Sequence, residues 1–322
     1  MIRSGDVAKL PGTRIQNRCV VISVGLDAVD GLMGGGLPVH NLYSISETVG
    51  QKFGSYFAKY FVAEGLNSQQ QVVIAGLSEP EYLNEIPSCS VEKNDLEALR
   101  GGSVKPGEDM TIAWRYSTMS PLNSALSGRD KTKFDLVKTV DISTFDAKLV
   151  TTNSYKKLYE DLVSLLQSDD YKAKTGKKML RIVVNDVGSP LFEDSDNYFT
   201  FLRKLKVLLM NTNAVCLLIV NEKLFTTPEL DDIVNVSDCF FRIEPHDEDV
   251  KRDLALEDSY DGRFHIRKLP HLNSFATNKP NCVDLVFERH RHYLEIKILH
   301  LPAVMGGAQP VKSACQTIAD SF

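Results

Sequence analysis

The chain has 322 residues, 43% of them hydrophobic and 25% charged, a balance that suits one large or two ordinary globular domains with a sizeable core. Its net charge of −5 argues against attraction to nucleic acid through bulk charge and leaves only local basic patches for that role. Six scattered cysteines without a CxxC pair, no apolar run at the start and no apolar stretch of membrane-spanning length argue against a zinc module, a disulfide framework, a signal peptide and a membrane helix, so the expectation is a soluble intracellular protein.

Residues 1–20 are polar, contain Pro11-Gly12 and read as an extended arm. Cys19 to Ser23 predicts a short strand. Leu26, Val29, Leu32 and Met33 fall at helical spacing, and Gly34 to Gly36 end that helix. NLYSIS predicts a strand, Tyr56 to Leu66 a helix, and Gln71 to Leu77 a buried strand. This alternation indicates a parallel sheet with crossover helices. From Glu79 to about Val150 the pattern weakens into an irregular insertion. Its ordered-looking pieces are Met110 to Tyr116, which holds the only tryptophan, Trp114, and Phe134 to Asp141. Regularity returns with Leu158, Leu162, Leu165 and Leu166 on one helical face. A strand with a polar end (MLRIVVNDVGSP), a helix (YFTFLRKLKVLLMNTN) and a fully buried strand (AVCLLIVN) follow. Asp232 to Pro245 predicts a short helix or turn and a strand. An acidic loop then precedes two alternating segments, Arg263 to Phe275 and Cys282 to Pro302, which predict antiparallel strands along one sheet edge. Residues 303–322 read as a flexible tail. The expected fold is thus α/β: a single domain over 21–302, with a mostly parallel central sheet, flanking helices and antiparallel C-terminal strands.

Strand, loop and helix meet at SETVGQKFGS, Ser46 to Ser55, where such a fold binds phosphate. A phosphate loop reads G-x-x-x-x-G-K-[ST]: glycines let backbone N–H groups wrap the phosphates, the lysine neutralises them and the hydroxyl holds Mg²⁺. With Lys52 as the lysine, Ser46 and Gln51 stand at the glycine positions and Phe53 at the hydroxyl. With Ser55 as the hydroxyl, Thr48 and Phe53 stand at the glycine positions and Gly54 at the lysine. Gly50 and Gly54 are not a properly spaced pair in either register. Glu47 adds a carboxylate, which costs a nearby triphosphate roughly 1–4 kcal/mol per charge pair at about 4 Å. ATP binding by the loop alone is therefore not expected. The second half of such a site is an acid at the end of an apolar strand, and RIVVND offers Asp186. In an open α/β sheet the strand-end loops line the functional edge, here Ser189 to Asn197 and Glu222 to Asp232.

The segment SVGLDAVDGLMGGGLPVHNLYSIS resembles the opening of RecA-like ATPases of the RadA and KaiC type. Val29 and Asp30 stand at the Leu-Asp positions of that family, and Gly34 to Pro38 match its GGGLP. The segment AKYFVAEGL fits the helix after the phosphate loop, which selects the second register and puts Gly54 where the catalytic lysine should be. IAWRY, FDLVK, LRIVVNDVGSPLF, IRKLPHLNSF and LHLP narrow the match further. In order and spacing, from about Gly12 to Pro302, they resemble the fourth-subunit family of the Elongator complex, of PAXNEB type.

The resemblance implies a RecA-like subunit without a working phosphate loop in the usual form, and no enzyme by itself. It implies a hetero-hexameric ring with the fifth and sixth Elongator subunits, docked on the catalytic Elongator subcomplex. That ring binds tRNA and couples its release to ATP hydrolysis, in support of wobble-uridine modification, in cytoplasm and nucleus. No cofactor belongs to this chain, and any ATP and Mg²⁺ would sit at ring interfaces. The two strand-end loops correspond to pore loops. Within them Lys223, with Phe225 stacking on a base, is the candidate tRNA contact; Glu193, Asp194 and Asp196 repel phosphate.

Three further features read more simply as solvated surface. Lys172, Lys174, Lys177 and Lys178 precede a parallel strand and should lie opposite the functional edge. His290 and His292 share one strand face, and with His300 they lack a Cys or carboxylate to complete a metal set. Asp247 to Asp258 is an acidic loop. Trp114 and Arg115 are of the residue types that favour interfaces or cores. The rival readings are an autonomous RecA-like ATPase, which needs the missing lysine, and an assembly scaffold without RNA contact.

Overall fold

The computed structural model describes residues 10–48, 53–89, 134–142, 145–173, 175–246, 260–272, 279–280 and 282–299. Trp114, Arg115, Lys174, His300, the strand expected over Met110 to Tyr116, the acidic run Asp247 to Asp258 and the tail lie outside these residues, as do Gly50 and Lys52 of the loop.

The chain opens with β1 (Thr13–Gln16) and β2 (Cys19–Ile22), an antiparallel pair. Asn17 and Arg18 turn between them, both with positive φ, the backbone that a two-residue hairpin requires. The second half of the expected arm is therefore a hairpin strand. Helix α1 (Asp27–Leu32) ends in the glycine run, and β3 (Leu37–Pro38) closes this small sheet against β2. Gly36 has φ 135°, and a Cβ there would lie 2.6 Å from the Ile22 carbonyl oxygen, so only glycine lets the chain cross β2 at this point.

The main sheet begins with β4 (Leu42–Glu47), followed by α2 (Gly54–Asn67) and β5 (Gln71–Gly76). The short β6 (Pro87–Cys89) and β7 (Phe134–Thr139) pair with each other. Then come β8 (Ala147–Thr151), α3 (Tyr155–Leu166), β9 (Leu180–Val187), α4 (Tyr198–Met210), β10 (Ala214–Asn221), α5 (Thr227–Val236) and β11 (Cys239–Pro245). The chain finishes with β12 (Gly262–Lys268), β13 (Leu285–Arg289) and β14 (Leu294–Ile298). Nine strands form one sheet in the order β14-β13-β12-β11-β4-β10-β9-β5-β8. From β11 to β8 all neighbours are parallel, while β12, β13 and β14 add on antiparallel. The α/β class, the parallel centre and the antiparallel C-terminal strands are as expected from the sequence.

The central strands are continuous buried runs because both faces are covered. One face packs on α2, with Phe57, Phe61 and Leu66 in its core. The other packs on α3 and α4, with Leu158, Leu162, Leu202, Leu205 and Leu209. Full burial of a side chain of this size stabilises by about 2–3 kcal/mol.

Three sequence expectations change. The irregular insertion supplies the edge strand β8, whose side chains are mostly exposed and so lack the apolar run that marks a buried strand. The loop from Glu222 is mostly helix: α5 starts at Thr227, where the Glu229 carboxylate accepts from Thr226 N and Oγ1, each at 2.7 Å. The long alternating segment from Cys282 is two strands, because the chain reverses over His290–Tyr293, closed by His290 N to Tyr293 O at 2.8 Å. No Gly or Pro marks that turn.

Candidate functional site

Alternate side chains along β4 face opposite layers. Tyr43 and Ile45 join the core beneath α2, while Ser44 meets Ser237 and Ser46 donates to Glu222, each at 2.7 Å. Glu47 shares the parity of Tyr43 and Ile45 and is 1% exposed. Its Oε2 accepts from Phe53 N at 3.0 Å and Gly54 N at 2.9 Å. These N–H groups open a 14-residue helix. They have no intrahelical acceptor and carry the positive end of the helix dipole. A carboxylate thus sits where the backbone of such a helix binds a phosphate.

Around it, Thr48 N donates to Ile243 O at 3.2 Å, tying the loop's first residue to β11. Gly54 starts α2 against β10: a Cβ there would lie 3.2 Å from Ile219 Cγ2 and 3.5 Å from Glu47 Oε2. The Cβ of a lysine at this position would crowd Ile219 and make ordinary contact with Glu47. Ser55 is half-buried on the first turn of α2. Beside the loop, Arg242 Nε donates to both oxygens of Glu222 at 3.0 Å. Glu244 accepts from His265 at 2.7 Å. Burial pushes its carboxyl up, but that bond and Arg242 outweigh burial and hold it below the usual range.

Asp186 is the penultimate residue of β9, and β10 separates that strand from β4. Asn185 and Asp186 form a bulge opposite β10, with Asp186 at φ 60°. Its carboxylate accepts from the Leu77 N–H and lies beside Gly76, at the end of β5. Burial raises its pKa against that bond. Asp186 is therefore turned toward β5, and Glu47 toward α2. The sequence reading set the loop and Asp186 as the two halves of one site; β10 lies between the strands that carry them.

Lys223 is exposed on the turn after β10, whose start is capped by Asn221 Oδ1 accepting from Lys223 N at 3.1 Å. Phe225 does not stand free beside it. Its ring lies edge-on to Tyr198, centroids 5.2 Å apart, and covers Gly188, where a Cβ would fall 2.1 Å from the ring. Packing thus engages part of the Phe225 ring, which is half-buried. Two acids of the other strand-end loop are structural. Asp194 accepts from Tyr155 N at 2.8 Å and Lys156 N at 3.1 Å and caps α3, while Glu193 accepts from Asn153 Nδ2 at 2.6 Å.

Lys172 and Lys178 lie at the start of β9, opposite this edge, as their place before a parallel strand implied. They pair with Asp169 at 2.5 Å and Asp170 at 3.1 Å. The histidines part at the β13–β14 turn. His292 meets Asp135 at 3.0 Å. His290 lies 3.5 Å from Glu288 and 3.2 Å from Glu295, two carboxylates that strand pairing brings opposite each other. A carboxylate pair for His290 was thus missed, because the turn was read as strand. The Lys297 ammonium already bridges both acids, at 2.7 and 3.2 Å.

A profile of the PAXNEB protein family matches residues 6–321. The chain belongs to the PAXNEB family. Elongator complex protein 4 of Danio rerio is 27% identical over 336 residues, covering 91% of this chain and 85% of that protein. The Mus musculus protein of the same name is 28% identical over 341 residues, covering 91% and 80%. The Homo sapiens protein is 24% identical over 341 residues, covering 92% and 80%. A crystal structure of a KaiC-like protein from Pyrococcus horikoshii OT3 aligns over 86% of this chain and 99% of that one, with a TM-score of 0.48 and 13% identity. In this PAXNEB chain the sequence reading took Glu47 only as an obstacle to phosphate. Its β-strand parity was the available signal that it faces α2.

Proposed function

We propose that this chain is the fourth subunit of an Elongator complex. In this reading it is a non-catalytic α/β subunit that assembles with the fifth and sixth subunits into a hetero-hexameric ring. The ring docks on the catalytic subcomplex, binds tRNA and supports wobble-uridine modification. ATP hydrolysis belongs to the assembled ring, with any ATP and Mg²⁺ at its interfaces, and the chain works in cytoplasm and nucleus. The observation that carries this reading is the family match over residues 6–321, with relatives named Elongator complex protein 4 aligned over about nine-tenths of the chain. The loop supports the non-catalytic part: Gly54 stands at the lysine position of the register that fits α2, and Glu47 holds the helix N-terminus.

The test is expression of the chain alone and with the two partner subunits, with mass, ATP hydrolysis and tRNA gel shift measured on each. A hexamer-sized assembly that hydrolyses ATP and shifts tRNA, beside an inactive single chain, is the expected result. Hydrolysis by the single chain would overturn it. A second reading, a scaffold without RNA contact, is favoured by the packed ring of Phe225 and by the acids along the strand-end edge. Unchanged tRNA binding after Lys223→Glu, and separately after Lys172→Glu with Lys178→Glu, would support it.

A further inference from the structure

We infer that Glu47 is a built-in surrogate for a bound phosphate: its carboxylate occupies the anion position at the start of α2 and holds the two N–H groups there without any ligand. Three observations carry this. The carboxylate is buried, and one oxygen accepts from the two N–H groups that open α2, at 3.0 and 2.9 Å. Helix α2 has no side-chain cap from Phe53 and no acid in its first turn, so Glu47 supplies the negative charge that a helix N-terminus favours. Gly54 lets the helix start approach closely, since a Cβ would meet Ile219 and the Glu47 oxygen itself. Glu47 is held at the centre of the sheet, paired with Asn221 on β10 and Ile243 on β11. A phosphate that bound these two N–H groups would displace this side chain and leave a carboxylate beside it, where like charges repel. The start of α2 is thereby autoinhibited against polyphosphates, and its two N–H groups need no nucleotide to be satisfied. This inference rests on the β4–α2 geometry and is independent of ring assembly and tRNA binding.

The test is amide hydrogen exchange at Phe53 and Gly54 in the full-length chain, with and without millimolar inorganic phosphate. In the wild type both amides should exchange slowly without phosphate and at the same rate with it. Protection that appears only when phosphate is added would overturn the inference, and this arm needs no variant to fold. In Glu47→Ala, both amides should exchange at least tenfold faster, and phosphate should slow them again. Glu47→Gln keeps the acceptor and the bulk while removing the charge; its amides should stay slow and phosphate-insensitive, which separates occupancy from charge repulsion. A folded Glu47→Ala protein whose exchange does not respond to phosphate would also overturn the inference.

Discussion

At the start of β9 a fully buried guanidinium is held by an amide and a carbonyl. Arg181 is 0% exposed, donates through Nε to Gln70 Oε1 at 2.5 Å and through NH1 to Phe61 O at 3.1 Å, and lies 4.7 Å over the Phe61 ring. Burial lowers its pKa to about 10, against the nearby Glu64 and Asp30 charges. Gly65 makes room for it: a Cβ there would lie 2.7 Å from Arg181 Cδ. Arg181→Ala should cost roughly 3 kcal/mol or more, from the cavity and from the stranded Gln70 amide. Arg181→Met, which keeps the volume, should cost less. Urea unfolding of the two variants checks the order; equal losses would mean that the polar contacts, not the volume, dominate. Asp30 gives a pH dependence. It is 5% exposed, accepts from Val24 N at 2.9 Å, and burial raises its pKa to about 6. A raised folded pKa favours the protonated form, so this group's stability is present at low pH and is lost as pH rises through about 6. The difference in stability between wild type and Asp30→Asn should therefore shift in favour of the wild type by of order 2 kcal/mol from pH 7.5 to pH 4.5. A pH-independent difference would sink the assignment.

At the scale of elements, helix ends are secured from outside the helix. Asp194 caps α3 across 40 residues of chain, with Ser154 Oγ also donating to it at 3.2 Å. Burial alone would raise its pKa, but the N–H bonds of Tyr155 and Lys156 and the Ser154 bond hold it below the usual carboxylate value. A lowered folded pKa makes its stability present above the unfolded value, near 4, and lost as pH falls through the folded one. Asp194→Ala should cost about 1 kcal/mol near neutral pH and lose less on acidification than the wild type does. Thermal melts from pH 7 to pH 3 measure both. This cap was not legible as such: its partners are remote in sequence, and an acid in a loop looks solvated. By contrast α2, α3 and α4 were readable because their apolar spacing repeats every turn, and β10 because eight consecutive residues are nearly all apolar. The β13–β14 reversal was unreadable because HRHY contains no turn-forming Gly or Pro.

At the scale of the whole molecule, the sheet divides two cores and presents one edge where Glu47, Asp186, Glu222 and Glu244 gather at strand ends. Glu222 and Glu244 share the single Arg242 guanidinium, at 3.0 and 3.6 Å, and Glu244 also hydrogen-bonds His265. An edge of this kind disfavours a polyphosphate held by this chain alone. The isolated chain should show no ATP binding in calorimetry at millimolar nucleotide, and hydrolysis should appear only on co-assembly with its proposed ring partners. ATP bound tightly by the single chain would mean that the loop works in an unusual way.

Local pattern was enough to determine the α/β class, the order of the principal helices and strands, and the place between β4 and α2 of a loop that departs from the G-x-x-x-x-G-K-[ST] spacing. These follow from residue spacing and residue type within a few turns of chain. Only the tertiary structure decided that β8 joins the sheet edge, that Asp186 turns toward β5, that Tyr198 and Gly188 absorb Phe225, and that Glu288 and Glu295 meet His290. Each depends on strand pairing or packing between residues far apart in sequence, which periodicity does not encode. Glu47 stands between the two: its parity on β4 was legible, but the N–H groups it satisfies come together only when α2 folds back over the sheet.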